Sequence, residues 1–309
     1  MERIDLKDKK LIYELDLDSR QSAAQLGKKV GLSKQSVSLK MNNLVRKKVI
    51  KSFITVLNTP LLGRLSFRLY FKLIDISPKE EELFREYLVN HLDVSWVVGC
   101  EGIWDYMAVV FPINFMSFEK TMVEINNKFG KFIERKDIAL VTRAYHFRSG
   151  YLLGKKVKIP DLIYAGQPSN VVKFDSHDEK IMFYLAKNSR EPIINLASKL
   201  KLNVIEGTTI TLDYDKLGFE RYKVFIRTKN LEEISEKEFI DSMRRHPYVL
   251  YYSKSIGSSD VELELIVENS LHLRKVIAGI RKDFGNLIKS YETMKIYAEY
   301  KLDFFPFKI

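Results

Sequence analysis

Gly31-Leu32-Ser33-Lys34-Gln35-Ser36-Val37-Ser38-Leu39-Lys40-Met41-Asn42-Asn43-Leu44-Val45-Arg46-Lys47-Lys48 decides how this 309-residue chain is read. Gly31 suits the left-handed position that ends a helix, and Ser33 suits the cap of the next one. Val37, Met41 and Leu44 recur at helical spacing and predict a helix over about 34–47 with one buried stripe. The other side carries Lys34, Gln35, Ser36, Ser38, Leu39, Asn42 and Asn43, side chains small or polar enough to enter a duplex groove. Upstream, Ser22-Ala23-Ala24-Gln25 has capping-box spacing, and Leu26 and Val30 face inward. Leu6, Leu11, Ile12 and Leu15 predict a first helix at about 5–16, and Ile50–Leu57 reads as a strand stopped by Pro60. Three helices, a tight turn and a strand make residues 1–58 a winged helix-turn-helix.

The same module is written twice. Asp8-Lys9-Lys10-Leu11, Ser19-Arg20 and Leu32 match Asp178-Glu179-Lys180-Ile181, Ser189-Arg190 and Leu202 at an offset of 170. Leu62-Gly63, His91, Gly102, Asp105, Phe129-Gly130 and Tyr145 match Leu217-Gly218, His246, Gly257, Asp260, Phe284-Gly285 and Tyr300 at an offset of 155. The two offsets differ by 15, so the second copy lacks 15 residues after Leu202, the counterpart of Lys34 to Lys48. Helices are expected at about 175–188 and 192–201, then a strand at Thr208–Asp213 with no room for a third helix, so residues 172–215 form a degenerate helix-turn-helix.

Between and after these lie two further units. In 64–74, Leu65, Phe67, Leu69, Phe71 and Leu73 alternate with Ser66, Arg68, Tyr70 and Lys72, which predicts a half-buried strand. A helix (78–91), strands at Val94–Gly99 and Trp104–Phe111, a helix (115–130) and a strand near Ile138–Phe147 follow. That order, βαββαβ, is ferredoxin-like, and it recurs over 222–302. The expected organisation is α+β: a winged helix-turn-helix (1–58), a ferredoxin-like domain (62–149), a linker (150–171), the degenerate helix-turn-helix (172–215) and a second ferredoxin-like domain (216–309).

Charge is unevenly placed. Of the net +11, residues 1–60 hold 13 Lys/Arg and 6 Asp/Glu, whereas 172–215 hold 6 and 7. Folding alone asks the same of both copies, so a basic excess in one points to a polyanion. Gln and Asn on the free face of the third helix suit adenine edges, and Lys suits guanine. Leu39 either touches thymine methyls or fills a gap in the fold. Lys40, Arg46, Lys47, Lys48 and Lys51 are expected near phosphates, with Ser33 at the helix start. The alternative is a helical bundle with a solvated basic face. One cysteine, Cys100, excludes an internal disulfide and fits a reducing cytoplasm, where a buried, inert thiol is expected. No His/Cys spacing suggests a metal, no phosphate loop or dinucleotide fingerprint is present, and no membrane span is visible. His91 and His246, each preceding a strand, suggest a shared cationic role at a helix C-terminus.

These residues resemble the leucine-responsive/AsnC family of feast/famine transcription regulators. Its opening "D-x-x-D-x-x-I-L" is matched by Asp5 to Ile12, and its "G-L-S-x-x-x-V-x-x-R-x-x-x-L-x-x-x-G-V-I" by Gly31, Leu32, Ser33, Val37, Lys40, Leu44, Lys48, Val49 and Ile50. Lys40 stands for the usual Arg and Lys48 for the usual Gly. The family's "G-x-Y-D" loop is matched by Gly102-Ile103-Trp104-Asp105. The resemblance implies a dimer through the ferredoxin-like domains and a small effector, often an amino acid, near that loop. Glu101, Gly102 and Asp105, with Gly257, Ser258, Ser259 and Asp260 in the second copy, are then either effector ligands or a tight turn with its capping Asp.

The expected function is a sequence-specific regulator that binds double-stranded DNA as a homodimer, with the two ferredoxin-like domains pairing either within one chain or between chains, no resident cofactor and no catalytic residues. A scaffold that coats DNA with little sequence preference is the alternative. Siroheme decarboxylases share the architecture and carry "H-N-Y-x-R" in the second ferredoxin-like strand; the matching stretches here, Asp93–Val97 and Tyr248–Tyr252, hold neither His nor Arg.

Overall fold

A computed structural model describes residues 4–154, 163–165, 170–191, 204–229 and 233–307. Three helices open the chain, α1 (Leu6–Leu17), α2 (Ala23–Val30) and α3 (Lys34–Arg46), followed by β1 (Ile50–Leu57). Asp5 caps α1 in a reciprocal box with Asp8, and Ser22 caps α2 in the box with Gln25 that its spacing predicts. Gly31 takes φ 71°, and a side chain at Gly27 would press on the Leu32 carbonyl, so this turn is built for glycines at both places. Leu11, Ile12, Leu15, Leu26, Val37 and Leu44 form the core beneath α3.

The first ferredoxin-like unit comprises β2 (Phe67–Leu73), α4 (Pro78–Asn90), β3 (Val94–Gly102), β4 (Tyr106–Val110), α5 (Phe115–Phe129) and β5 (Ile133–His146). After β6 (Ile163–Ala165), α6 (Ser176–Lys187), β7 (Ile205–Leu212) and one helical turn at Tyr214–Leu217, the second unit comprises β8 (Glu220–Thr228), α7 (Glu233–Arg245), β9 (Val249–Gly257), β10 (Val261–Val267), α8 (Ser270–Phe284) and β11 (Ile288–Leu302). The helix expected at 192–201 lies outside the described residues.

The strands run in the order β2-β4-β3-β11-β8-β10-β9-β5-β6, and β2 also pairs with β5. Setting aside β6 at the rim, the eight ferredoxin-like strands therefore close into one antiparallel barrel. The seams between units are β3–β11 and β5–β9, the same pair of positions used reciprocally. A local twofold relates the copies. Near its axis the Ser19 and Ser189 hydroxyls meet at 2.6 Å, Arg190 donates to the Ser19 and Gln21 carbonyls, and β1 pairs with β7.

Closure changes what β2 faces. Its alternation predicts one wet side, yet Arg68 and Tyr70 are buried, because the polar face lines the barrel interior while Leu69 and Phe71 pack under α4. The last strand of the first unit begins earlier than expected, at Ile133, where hydrogen bonding to β2 continues beyond the buried stretch. The start of the expected linker is core rather than tether: Gly150, Tyr151 and Leu152 are buried, and Tyr151 and Leu152 pack with the winged helix.

Candidate nucleic-acid interface

The outer face of α3 stands clear of the protein. Lys34, Gln35, Leu39, Asn42 and Arg46 are exposed, with Leu39 at 71%. An exposed Leu on a helix whose other side buries Val37 and Leu44 is not filling a gap in the fold. Ser33 caps the helix through the Ser36 N–H, its hydroxyl donating to Ser36, and Ser38 donates to the Lys34 carbonyl. These hydroxyls serve the helix first. Asn43 is half-buried and accepts from Arg46, leaving Gln35 and Asn42 as the amides that point outward.

The cations divide. Lys34, Arg46 and Lys48 are exposed. Lys40 turns inward, donating to Asp5 at 2.8 Å and Asp8 at 2.9 Å, so it braces α3 against the start of α1. Burial opposes its charge, but these two carboxylates raise its pKa above the ordinary lysine value. Lys51 is exposed and sits 3.5 Å from Glu299, which Arg221 and Trp96 hold from the other side. Lys47 gives its carbonyl to Lys216. Lys48, where the resemblance has glycine, takes φ 55°, so a lysine occupies a left-handed turn between helix and wing.

The two glycine-aspartate loops close the hairpins β3–β4 and β9–β10. Gly102 and Gly257 adopt φ 127° and 131°. Asp105 accepts from the Leu73 N–H and Lys72, and Asp260 accepts from the Thr228 N–H and hydroxyl. Both carboxylates thus tie a hairpin tip to the neighbouring strand. Ser259 is buried with its hydroxyl toward Glu262, the buried Ser258 hydroxyl has no partner, and Glu101 is exposed. His91 and His246 share a helix-end role, each accepting a backbone N–H through Nδ1, from Asp93 and Tyr248. Cys100 is buried, and burial pushes its thiol up to about 12.

Sequence reading missed the most charged interior of the molecule. Inside the barrel Arg68 pairs with Glu262 and donates to Ser253, and Tyr70 donates to Glu262. Arg221 bridges Glu264 (2.6 Å) and Glu299 (2.8 Å), Trp96 donates to Glu299, and Lys223 lies 3.2 Å from Glu264. Burial pushes the Glu264 carboxyl up, but Arg221 and Lys223 outweigh it and hold it at about 2. The signal was present: Arg221 and Lys223 alternate with apolar residues in β8 as Glu262 and Glu264 do in β10, opposite signs on adjacent strands. Among the described residues, no group of His, Cys, Asp or Glu could hold a metal ion, and no helix is long and apolar enough to cross a membrane.

Residues 4–51 match the family described as winged helix-turn-helix DNA-binding. The chain is similar to the transcriptional regulator AzlB of Bacillus subtilis (strain 168), 28% identical over 124 residues, 39% of this chain and 78% of that protein. Its fold is similar over nearly its full length to the siroheme decarboxylase NirDL, with a TM-score of 0.58, 10% identity, and coverage of 96% of this chain and 92% of that one. An AsnC family transcriptional regulator from Agrobacterium tumefaciens aligns to 44% of this chain and 89% of its own, with a TM-score of 0.40 and 20% identity. The amino-terminal segment is a winged helix-turn-helix DNA-binding domain.

Proposed function

We propose that this protein is a transcriptional regulator that reads duplex DNA sequence-specifically through α3. One observation carries the reading: the helix with the free amide-rich face in the first copy has no counterpart in the sequence of the second, whose offset to the first closes up by 15 residues after Leu202. Gln35 and Asn42 would address base edges in the major groove, Lys34 bases or phosphate, and Arg46, Lys47, Lys48 and Lys51 phosphates. The paired ferredoxin-like units give one chain the form of a family dimer with a single reader, so a palindromic site would take two chains, with half-sites about 34 Å apart or a multiple of that. A small effector would act by shifting the reader relative to the barrel.

The test is competition at fixed salt. A specific regulator prefers its own site to random duplex by about a thousandfold or more. Equal affinity for all duplexes would instead leave a coating protein. Whole-length fold similarity to a siroheme decarboxylase motivates a second reading, catalysis on a haem-like substrate. Asp93–Val97 and Tyr248–Tyr252 lack the His and Arg of that motif, and the barrel-mouth cavity, about 160 Å³, is small for a macrocycle. A spectral shift on adding haem would favour it.

A further inference from the structure

Between the mouth of the barrel and the strand that carries the reader lies a cavity of about 160 Å³. Its far wall is the barrel: Trp96, Val109, Phe111 and Leu302 supply apolar surface, and Arg68, Arg221, Lys223 and Glu264 supply charge. Its near wall is the end of β1, Val56 and Leu57, with Thr59 and Pro60 beyond. The lining is mainly apolar with one charged end, the usual build of a small-molecule site.

The charged end is not fully satisfied. Arg68 is buried and uses its two terminal nitrogens on Glu262 and Ser253, but its Nε has no hydrogen-bond partner. The fully buried Lys223 ammonium has three protons to donate and carboxylates at 3.2 and 3.9 Å, the nearer of which accepts from it. A buried donor left without an acceptor, as the Arg68 Nε is, is costly, and a bound anion relieves that cost. A dry cavity of about 150 Å³ holds one benzene ring, which sets the scale of the occupant.

We infer that this cavity is a ligand site for a small monocarboxylate with a compact apolar body, on the order of six to ten non-hydrogen atoms, its carboxylate at Arg68 and Lys223 and its body against Trp96 and Phe111. The site is separate from the hairpin loops, whose carboxylates are spent on their own backbone. Because Val56 and Leu57 belong to the strand that starts at Ile50, four residues after α3 ends, an occupant braces the end of β1 against the barrel and so biases the position of the reader. That last step rests on the proposed regulator function; the binding itself does not.

Calorimetric titration of the full chain with benzoate and with benzamide tests it, DNA binding being measured in parallel. Benzoate should bind, and benzamide, equal in size but uncharged, should bind at least about tenfold more weakly. Ala144→Leu, which puts bulk into the cavity from β5 and keeps every charged group, should weaken benzoate at least about tenfold while the protein still melts cooperatively. Equal affinity for the two probes, no benzoate binding up to about 10 mM, or an Ala144→Leu variant that folds and binds as the parent does would each overturn the site. If benzoate binds but no duplex does, the site stands and the regulator reading falls; if duplex binds and benzoate does not, the reverse holds.

Discussion

Replacing Glu264 by glutamine removes one negative charge from an interior in which three cations, Arg68, Arg221 and Lys223, face three carboxylates, Glu262, Glu264 and Glu299. The shape is nearly conserved, so the cost is electrostatic. Arg221 keeps Glu299 at 2.8 Å, but Lys223 is left with Glu262 at 3.9 Å, already claimed by Arg68. Breaking a buried pair on one side costs about 3–5 kcal/mol. With a urea slope of about 3 kcal/mol/M, the midpoint should fall by about 1–2 M. Removing the stranded cation as well, in Glu264→Gln with Lys223→Met, leaves two balanced pairs and should restore most of the loss. Burial and Arg68 already hold the Lys223 pKa below its ordinary 10.5. Between that lowered value and 10.5 the unfolded chain holds a proton that the folded chain refuses, so stability rises with pH in that window, and more steeply in the single variant. A single variant within about 1 kcal/mol of the parent, or a double variant no better than the single, would refute the claim that these charges compensate one another.

Other consequences follow from single residues. His146 is buried, stacks on Tyr251 with ring centroids 4.4 Å apart, and burial lowers its pKa to about 4 from 6.5. The stability this represents is complete above pH 6.5 and is lost as pH falls toward 4, by about 3 kcal/mol; His146→Phe should keep the stack and remove that part of the acid sensitivity in denaturant titrations. Lys48→Gly should raise the melting temperature, worth about 1 kcal/mol, because φ 55° strains a lysine and not a glycine. Lys40→Ala should cost under about 1 kcal/mol and leave the salt slope of DNA binding unchanged, whereas Arg46→Ala should flatten it by roughly one unit.

Much of the fold is legible because local chemistry agrees with it. Ser22 with Gln25, Gly31 at the turn and the Val37–Leu44 stripe each serve the element they announce. The repeat announces both ferredoxin-like units, since hairpin residues such as Gly102 and Gly257 do the same work 155 positions apart. What could not be read is what the copies do to each other. Arg68 and Tyr70 look solvated on a lone strand, and only barrel closure buries them; Lys40 looks like a phosphate contact until Asp5 and Asp8, on a different helix, come within reach. The cavity belongs to neither copy alone, since its walls combine β1 and β3 with β8.

Selection of bound duplexes from a random pool, run on the parent and on Gln35→Ala and Asn42→Ala, tests the central claim most directly. The parent should enrich a short motif, and each variant should lose sequence preference at one or two positions of it while the rest persists. Enrichment of no motif by the parent, or an unchanged motif from both variants, would contradict α3 as the reader.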